Sequence, residues 1–270
     1  MFELPQAFSD NHRQVILKYF VSGRVALTTS EWQIALVGFN LLHQAIVLSE
    51  GTQLFFAEVY DQQVDRPFAE QYIVALLALA DPTQYQPVRA HFSRQIVQRL
   101  QVLGLQRPDL PQSNLLLAYC LYFWESFAAG YAFEVEIFND LHQSGIQFRS
   151  HNIRIRESRL SAYDLEILRL RGDIKSSLYF LQVQQGQRLR HDFYITRVYE
   201  GRVQRTYVVM LQLEAWEQID GDTIMGLLQN VTQHFPHPVR VELNQGSVVI
   251  TEYAVWKRKI RQRQGHEERQ

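Results

Sequence analysis

The sequence predicts a chain in the α+β to α/β class, with a helical N-terminal domain followed by a C-terminal domain built on a sheet. Three observations carry this. Apolar residues recur at helical spacing through roughly the first 110 positions. From Ile146 the texture changes to short β-prone runs separated by turn residues. Between them, Gln106 to Ser113 holds two prolines and reads as a linker. With 270 residues, 46% of them hydrophobic and 20% charged, the chain can bury a full core, which excludes disorder and fibre. The expected division is a helical domain over 1–112, an α/β domain over 113–256 and a basic tail over 257–270.

In chain order, Ser30 to Leu42 reads as a helix with Ile34, Val37, Leu41 and Leu42 on its core stripe, and Glu70 to Leu79 continues in the same style. Phe92, Ile96, Leu100 and Leu103 repeat at helical spacing before Gly104, and Ser113 or Asn114 supplies a helix cap after the linker. Leu115 to Phe133 approaches the length of a membrane span, but Glu125 at its midpoint is costly in lipid, so it is expected to be a buried helix and no membrane contact is expected. Gly130 to Gly145 is a helix closed by glycine, with Ile137, Phe138 and Leu141 inward, Glu134 on the same stripe, and Glu136 and Asp140 on the wet side. Strands are expected at Ile153 to Ile155, Tyr163 to Leu168, Phe193 to Tyr199, Tyr207 to Leu213, Val239 to Leu243 and Val248 to Ala254, the last two joined by a turn at Asn244 to Gly246. A helix over Asp222 to Phe235 lies between them, and Lys257 to Arg263 places five cations in seven residues at the end.

Charge is divided along the chain. Before Arg149 there are 8 Lys/Arg against 14 Asp/Glu, and from Arg149 onward 19 against 14. The second half suits a polyanion and the first half repels one. A lone Cys120 excludes an internal disulfide, and the N-terminus lacks the basic and apolar regions of an export signal, so a cytoplasmic location is expected.

The stretch from Gly130 to Tyr199 carries the chemistry. Glu134 on an inward stripe needs a cation, a donor or a metal; taken alone, it reads as a helix-edge carboxylate paired with an arginine. Asp173 and Lys175 share one face of a strand because side chains alternate with period two. A tight hairpin turning at Leu168-Arg169 sets Asp164 across from Asp173, so two carboxylates and an ammonium share one sheet face. Such a set repels itself unless a divalent cation neutralises it, and oxygen ligation suits Mg2+ or Mn2+ better than zinc. A turn at Arg171-Gly172 instead separates Asp164 from Asp173 and makes Glu166 or Glu157 rival ligands. Without an ion, the segment is an exposed hairpin of alternating charge.

The order Glu134, Asp164, Asp173-Ile174-Lys175 resembles the PD-(D/E)XK superfamily of restriction-endonuclease-like nucleases, over roughly residues 130 to 200. Phe133-Glu134 with Gly145 after it is similar to the start of the Mrr-like branch. The resemblance implies an α-β-β-β-α-β core, with a short helix after Ser176-Ser177 and a strand from Asp192, followed here by extra C-terminal strands. It implies that Asp164 and Asp173 hold Mg2+ or Mn2+ with the Ile174 carbonyl, that Lys175 orients or deprotonates the attacking water, and that Glu134 completes the metal surroundings. The implied activity is hydrolysis of phosphodiester bonds by a metal-activated water, leaving 5′-phosphate and 3′-hydroxyl ends.

Arginines dominate around this site: from Arg149 to Arg205 there are eleven and one lysine against six carboxylates. Arg154, Arg156, Arg188 and Arg190 are the expected phosphate contacts, with Lys257, Arg258 and Lys259 adding backbone grip. His234 and His237 lack further ligands at zinc spacing, Asp220 and Asp222 read as a turn and helix cap, and His191-Asp192 reads as a strand start. Phosphate-loop, dinucleotide and serine-hydrolase motifs are absent from the sequence. The expected function is therefore a metal-dependent nuclease acting on DNA more than RNA, with a homodimer or partner protein engaged through the helical domain. The alternatives are a non-catalytic nucleic-acid-binding or assembly protein keeping a nuclease-like fold, and a protein-association module working through the acidic N-terminal half.

Overall fold

The computed structural model describes residues 2–49, 51–107, 110–155, 158, 161–176, 191–200, 203–212, 239–243 and 246–267. The chain is mixed α/β, with a mainly helical N-terminal region and a mixed sheet in the C-terminal part. It forms two compact units, Met1–Ala129 and Gly130–Gln270, whose boundary falls inside one long helix.

In the first unit the helices are α1 (Asp10–Ser22), α2 (Thr29–Leu41), α3 (Phe56–Tyr60), α4 (Arg66–Leu77), α5 (Gln86–Val102) and the start of α6 (Pro111–Gln143). Ser9 and Thr28 cap α1 and α2 by accepting from backbone N–H groups of the first turn. The N-terminal region is helical as expected, and beside its helices β1 (Phe2–Glu3), β2 (Ile46–Ser49) and β3 (Thr52–Phe55) form an antiparallel three-stranded sheet that local pattern did not indicate. The stripe on α2 is also rotated from the expected one. Leu36, Phe39 and Leu42 are buried, whereas Val37 is 52% exposed. Two contacts set this rotation. Phe39 stacks on Tyr122 with centroids 4.0 Å apart. At Gly38, a Cβ would lie 2.9 Å from the Ile16 Cδ1, so the missing side chain admits α1. Phe92, Ile96 and Leu100 are buried on α5 as their spacing predicts, while Leu103 lies beyond the helix and is exposed.

Helix α6 absorbs the apolar run from Leu115. Its Trp124 packs edge-on against Tyr72, whose hydroxyl donates to the Ala128 carbonyl at 2.9 Å, and Glu125 accepts from the Tyr19 hydroxyl at 3.2 Å. Among the described residues no helix is long and apolar enough to cross a membrane. Ser113 lies inside α6 instead of capping it, and its hydroxyl donates to the Arg107 and Leu110 carbonyls, both at 2.6 Å.

Among the described residues, the second unit holds a seven-stranded sheet in the order β4 (Arg149–Ser150), β5 (Leu165–Ile167), β6 (Leu170–Lys175), β7 (Phe193–Glu200), β8 (Val203–Gln212), β10 (Gly246–Glu252), β9 (Val239–Leu243). Every neighbouring pair is antiparallel except β6 and β7, which run parallel. Ile153 to Ile155 is not the expected strand. Asn152 draws that segment into a turn, its side-chain oxygen accepting from Arg154 N and its carbonyl from Ile155 N. The expected helices after Ser177 and over Asp222 to Phe235 lie outside the described residues.

Lys257 to Arg263, expected as part of a basic tail, is helical, with Arg258, Lys259, Arg261 and Arg263 exposed. It belongs to α7 (Tyr253–Glu267), on which Trp256 and Ile260, four apart, are buried, and Phe193 packs on Trp256 at 5.4 Å. This helix also corrects the reading of Glu136 and Asp140 as water-facing. Asp140 accepts from Lys257 Nζ at 2.7 Å and from the Tyr253 hydroxyl at 2.8 Å, and Glu136 pairs with Arg197, whose guanidinium also lies over the Phe133 ring. A helix packed on a sheet and a second helix has more than one occupied side, so its charged side finds partners and not only water.

Candidate metal centre

The site is organised by the β5–β6 hairpin. Its two-residue turn is Leu168-Arg169, both with left-handed φ, 52° and 66°. Positive φ at both positions matches the twist of two strands joined by a two-residue loop, a geometry that favours Asn-Gly and costs Leu and Arg about 1 kcal/mol each. The register this turn imposes pairs Leu165 with Gly172, which brings the Asp164 side chain within hydrogen-bonding reach of Asp173. Asp164 is held there twice: its N–H donates to the Gly172 carbonyl at 3.0 Å, and its Oδ2 accepts from Ile174 N at 2.7 Å. Gly172 has no room for a side chain, since a Cβ would lie 2.2 Å from the Phe193 ring.

Asp173 and Lys175 share a strand face, and their side chains meet at 2.8 Å. The Asp173 side chain is 12% exposed and that of Lys175 is 37% exposed, so the carboxylate is enclosed while the amine reaches water. Helix α6 delivers Glu134. Between Glu134 and Asp164 stands His151, its Nε2 3.4 Å from Glu134 Oε2 and its Nδ1 3.8 Å from Asp164 Oδ1. His191 Nε2 lies 3.7 Å from Asp173 Oδ2. Thus Glu134, Asp164, Asp173 and Lys175, singled out from the sequence, come together, and two histidines join them.

His151 was not legible in the sequence. It follows the short strand β4 with no ligand-like spacing, and it meets Asp164 only through strand pairing, its N–H donating to the Asp164 carbonyl at 3.2 Å. His191, read as half of a strand start, differs from its neighbour: Asp192 is tied to the backbone, accepting from Arg171 N at 2.7 Å. Glu166 pairs across the sheet with Arg149 and Arg171 and lines a cleft of about 600 Å3 with Arg149, Arg169 and Gln264. The register therefore sets it opposite Arg171, with the Leu165–Gly172 pair between it and the acidic residues. Glu157, Arg156, Arg188, Arg190, Asp220, Asp222, His234 and His237 lie outside the described residues. Arg154, Arg258 and Lys259 are exposed, and Lys257 is engaged by Asp140.

Electrostatics separate the acids. Burial, followed by the charges of Glu134 and Asp173, pushes Asp164 up to about 9, and burial raises Glu134 as well, against the pull of His151 and Lys175. Asp173 goes the other way. Burial would raise it, but the hydrogen bond from Asp164 and the Lys175 ammonium hold it below the usual carboxylate range. For Lys175, burial favours the neutral amine, and the charges of Asp173 and Asp164 outweigh it, leaving the group above its ordinary value. Without an ion, the pair is therefore one proton shared from Asp164 to an ionised Asp173.

These residues suit a divalent cation. Glu134 Oε2 and both ring nitrogens of His151 are buried without a hydrogen-bond partner, a cost that an ion relieves at the carboxylate oxygen and at the one ring nitrogen that carries a lone pair. One donor atom each from Glu134, His151 and Asp164 lie within 4.8 Å of one another. No protein-family model, curated protein or solved structure matches the chain.

Proposed function

We propose that the chain is a metal-dependent nuclease of the PD-(D/E)XK kind, hydrolysing phosphodiester bonds of DNA in preference to RNA. The reading rests on one observation: Asp164 and Asp173 brought side by side by a tight hairpin, with Lys175 2.8 Å from Asp173 and Glu134 arriving from a preceding helix. Strand order supports it. An antiparallel run of β4, β5 and β6 followed by a β7 parallel to β6 is compatible with the core that the sequence resembles.

Asp164 and Asp173 hold Mg2+ or Mn2+ in this reading, with the Ile174 carbonyl and Glu134 completing the surroundings. Such an ion, when bound, acidifies a water and draws off charge from the phosphate. Lys175, 2.8 Å from Asp173, orients the attacking water toward phosphorus or takes its proton. The water oxygen bonds to phosphorus as its proton passes to Lys175 or to solvent, the bond from phosphorus to the 3′ oxygen breaks, and that oxygen takes a proton from a solvent water and leaves as a hydroxyl, giving a 5′-phosphate end. Arg149 and Arg169 along the neighbouring cleft offer bidentate contacts to flanking phosphates.

Incubation with plasmid and oligonucleotide DNA tests this. The parent protein cuts only when Mg2+ or Mn2+ is supplied. Lys175→Ala and Asp173→Ala lower the rate by ~100-fold or more while DNA still binds. Intact DNA under every ion leaves at most a nucleic-acid-binding protein and removes the catalytic reading.

A further inference from the structure

We propose that His151 is a metal ligand, sharing an ion with Glu134 and Asp164, so that the centre is an imidazole–carboxylate site favouring a first-row ion such as Mn2+ over Mg2+. The proposal rests on the reading of the acidic cluster as a metal site, and is independent of whether the bound ion cuts DNA.

The His151 side chain is 4% exposed, yet neither ring nitrogen makes a hydrogen bond. A buried imidazole normally satisfies at least one nitrogen, so a pair left open together needs a reason. Both nitrogens face carboxylates, at 3.4 Å from Glu134 and 3.8 Å from Asp164, and the facing Glu134 Oε2 is itself without a hydrogen-bond partner. A neutral imidazole has one nitrogen lone pair, so one of these nitrogens meets the ion while the other keeps its proton toward a carboxylate. Ligands ~2.1 Å from one ion sit ~3 to 4 Å apart. The three donor atoms here lie within 4.8 Å of one another, so a small inward movement closes the shell.

The backbone aims this set. Strand pairing holds His151 beside Asp164, and Ile174 N–H occupies Asp164 Oδ2, which leaves Oδ1 for the side facing His151. Phe138 packs edge-on against the imidazole at 6.2 Å and limits its rotation. A nitrogen donor is a poor match for Mg2+, which takes oxygen, and a good one for first-row ions.

Mn2+ added to the full chain and followed by electron paramagnetic resonance provides the test. Pulsed spectra of the parent protein show nitrogen-14 coupling from a coordinated imidazole. The coupling persists in His191→Gln and is lost in His151→Gln, where Mn2+ affinity falls ~10-fold or more. Affinity for Mg2+ changes less than ~3-fold in the same variant, since oxygen donors dominate its binding. Bound Mn2+ without nitrogen coupling overturns the proposal while leaving an all-oxygen nuclease site intact, and coupling lost in His191→Gln overturns it by moving the nitrogen ligand to His191. Nitrogen-coupled Mn2+ in a protein that cuts no DNA does the reverse. No Mn2+ binding overturns both. If His151→Gln does not fold, the parent and His191→Gln spectra decide alone.

Discussion

Asp164 couples ionisation to stability. Its folded value of about 9 lies above its ordinary 3.8, so the native state holds a proton that the unfolded chain has released. That contribution is fully present below about pH 4 and is lost as pH rises through about 9, and the raised Glu134 acts in the same sense. Asp173 acts oppositely, its contribution being lost only as pH falls below the ordinary carboxylate range. In chelator, the melting temperature should therefore decline from mildly acidic to alkaline pH, with Asp164→Asn flattening the decline. Added Mn2+ should restore stability most at the alkaline end, where the proton no longer competes. Gly172 gives a steric prediction at the same scale. Gly172→Ala drives a methyl into the Phe193 ring and should cost about 1–3 kcal/mol in denaturant unfolding, because neither ring nor strand has space to yield.

At the scale of elements, the β5–β6 turn puts register ahead of comfort. Leu168 and Arg169 occupy left-handed backbone that suits Asn and Gly. Leu168→Asn with Arg169→Gly should raise stability by about 1 kcal/mol or more without moving Asp164 relative to Asp173; a drop in stability would mean that these side chains hold the turn through contacts. Helix α7 makes a second case. Its cations suggest a solvated run, but Trp256 and Ile260 pack inward, and the Gln264 amide both accepts from Gln147 N and donates to the Gln147 carbonyl. Ile260→Ala should cost about 2 kcal/mol by urea melt, whereas truncation of a free tail would cost nothing.

For the whole molecule, under the proposed nuclease function, the charge divide between an acidic first half and a basic second half would place phosphate contacts in the residues from Arg149 onward. DNA affinity should fall linearly on a log–log plot against salt, and Arg149→Ala or Arg169→Ala should each lower that slope by about 1 with little sequence dependence. An unchanged slope would move the phosphate contacts elsewhere.

Local pattern by itself determined much of this protein: the α6 stripe carrying Glu134, the strand alternation that pairs Asp173 with Lys175, and the change from helix to sheet near Ile146. These follow from periods of 3.6 and 2, which any short window of sequence displays. The stripe on α2, the small N-terminal sheet, the packed α7 and the entry of His151 were decided only by the tertiary structure. Each depends on residues far apart in the chain, such as Phe39 with Tyr122, Phe2 with Val47, Phe193 with Trp256, and His151 with Glu134. No local spacing encodes such pairs, because they form only when whole elements dock and each side chain must then accept the neighbour it meets.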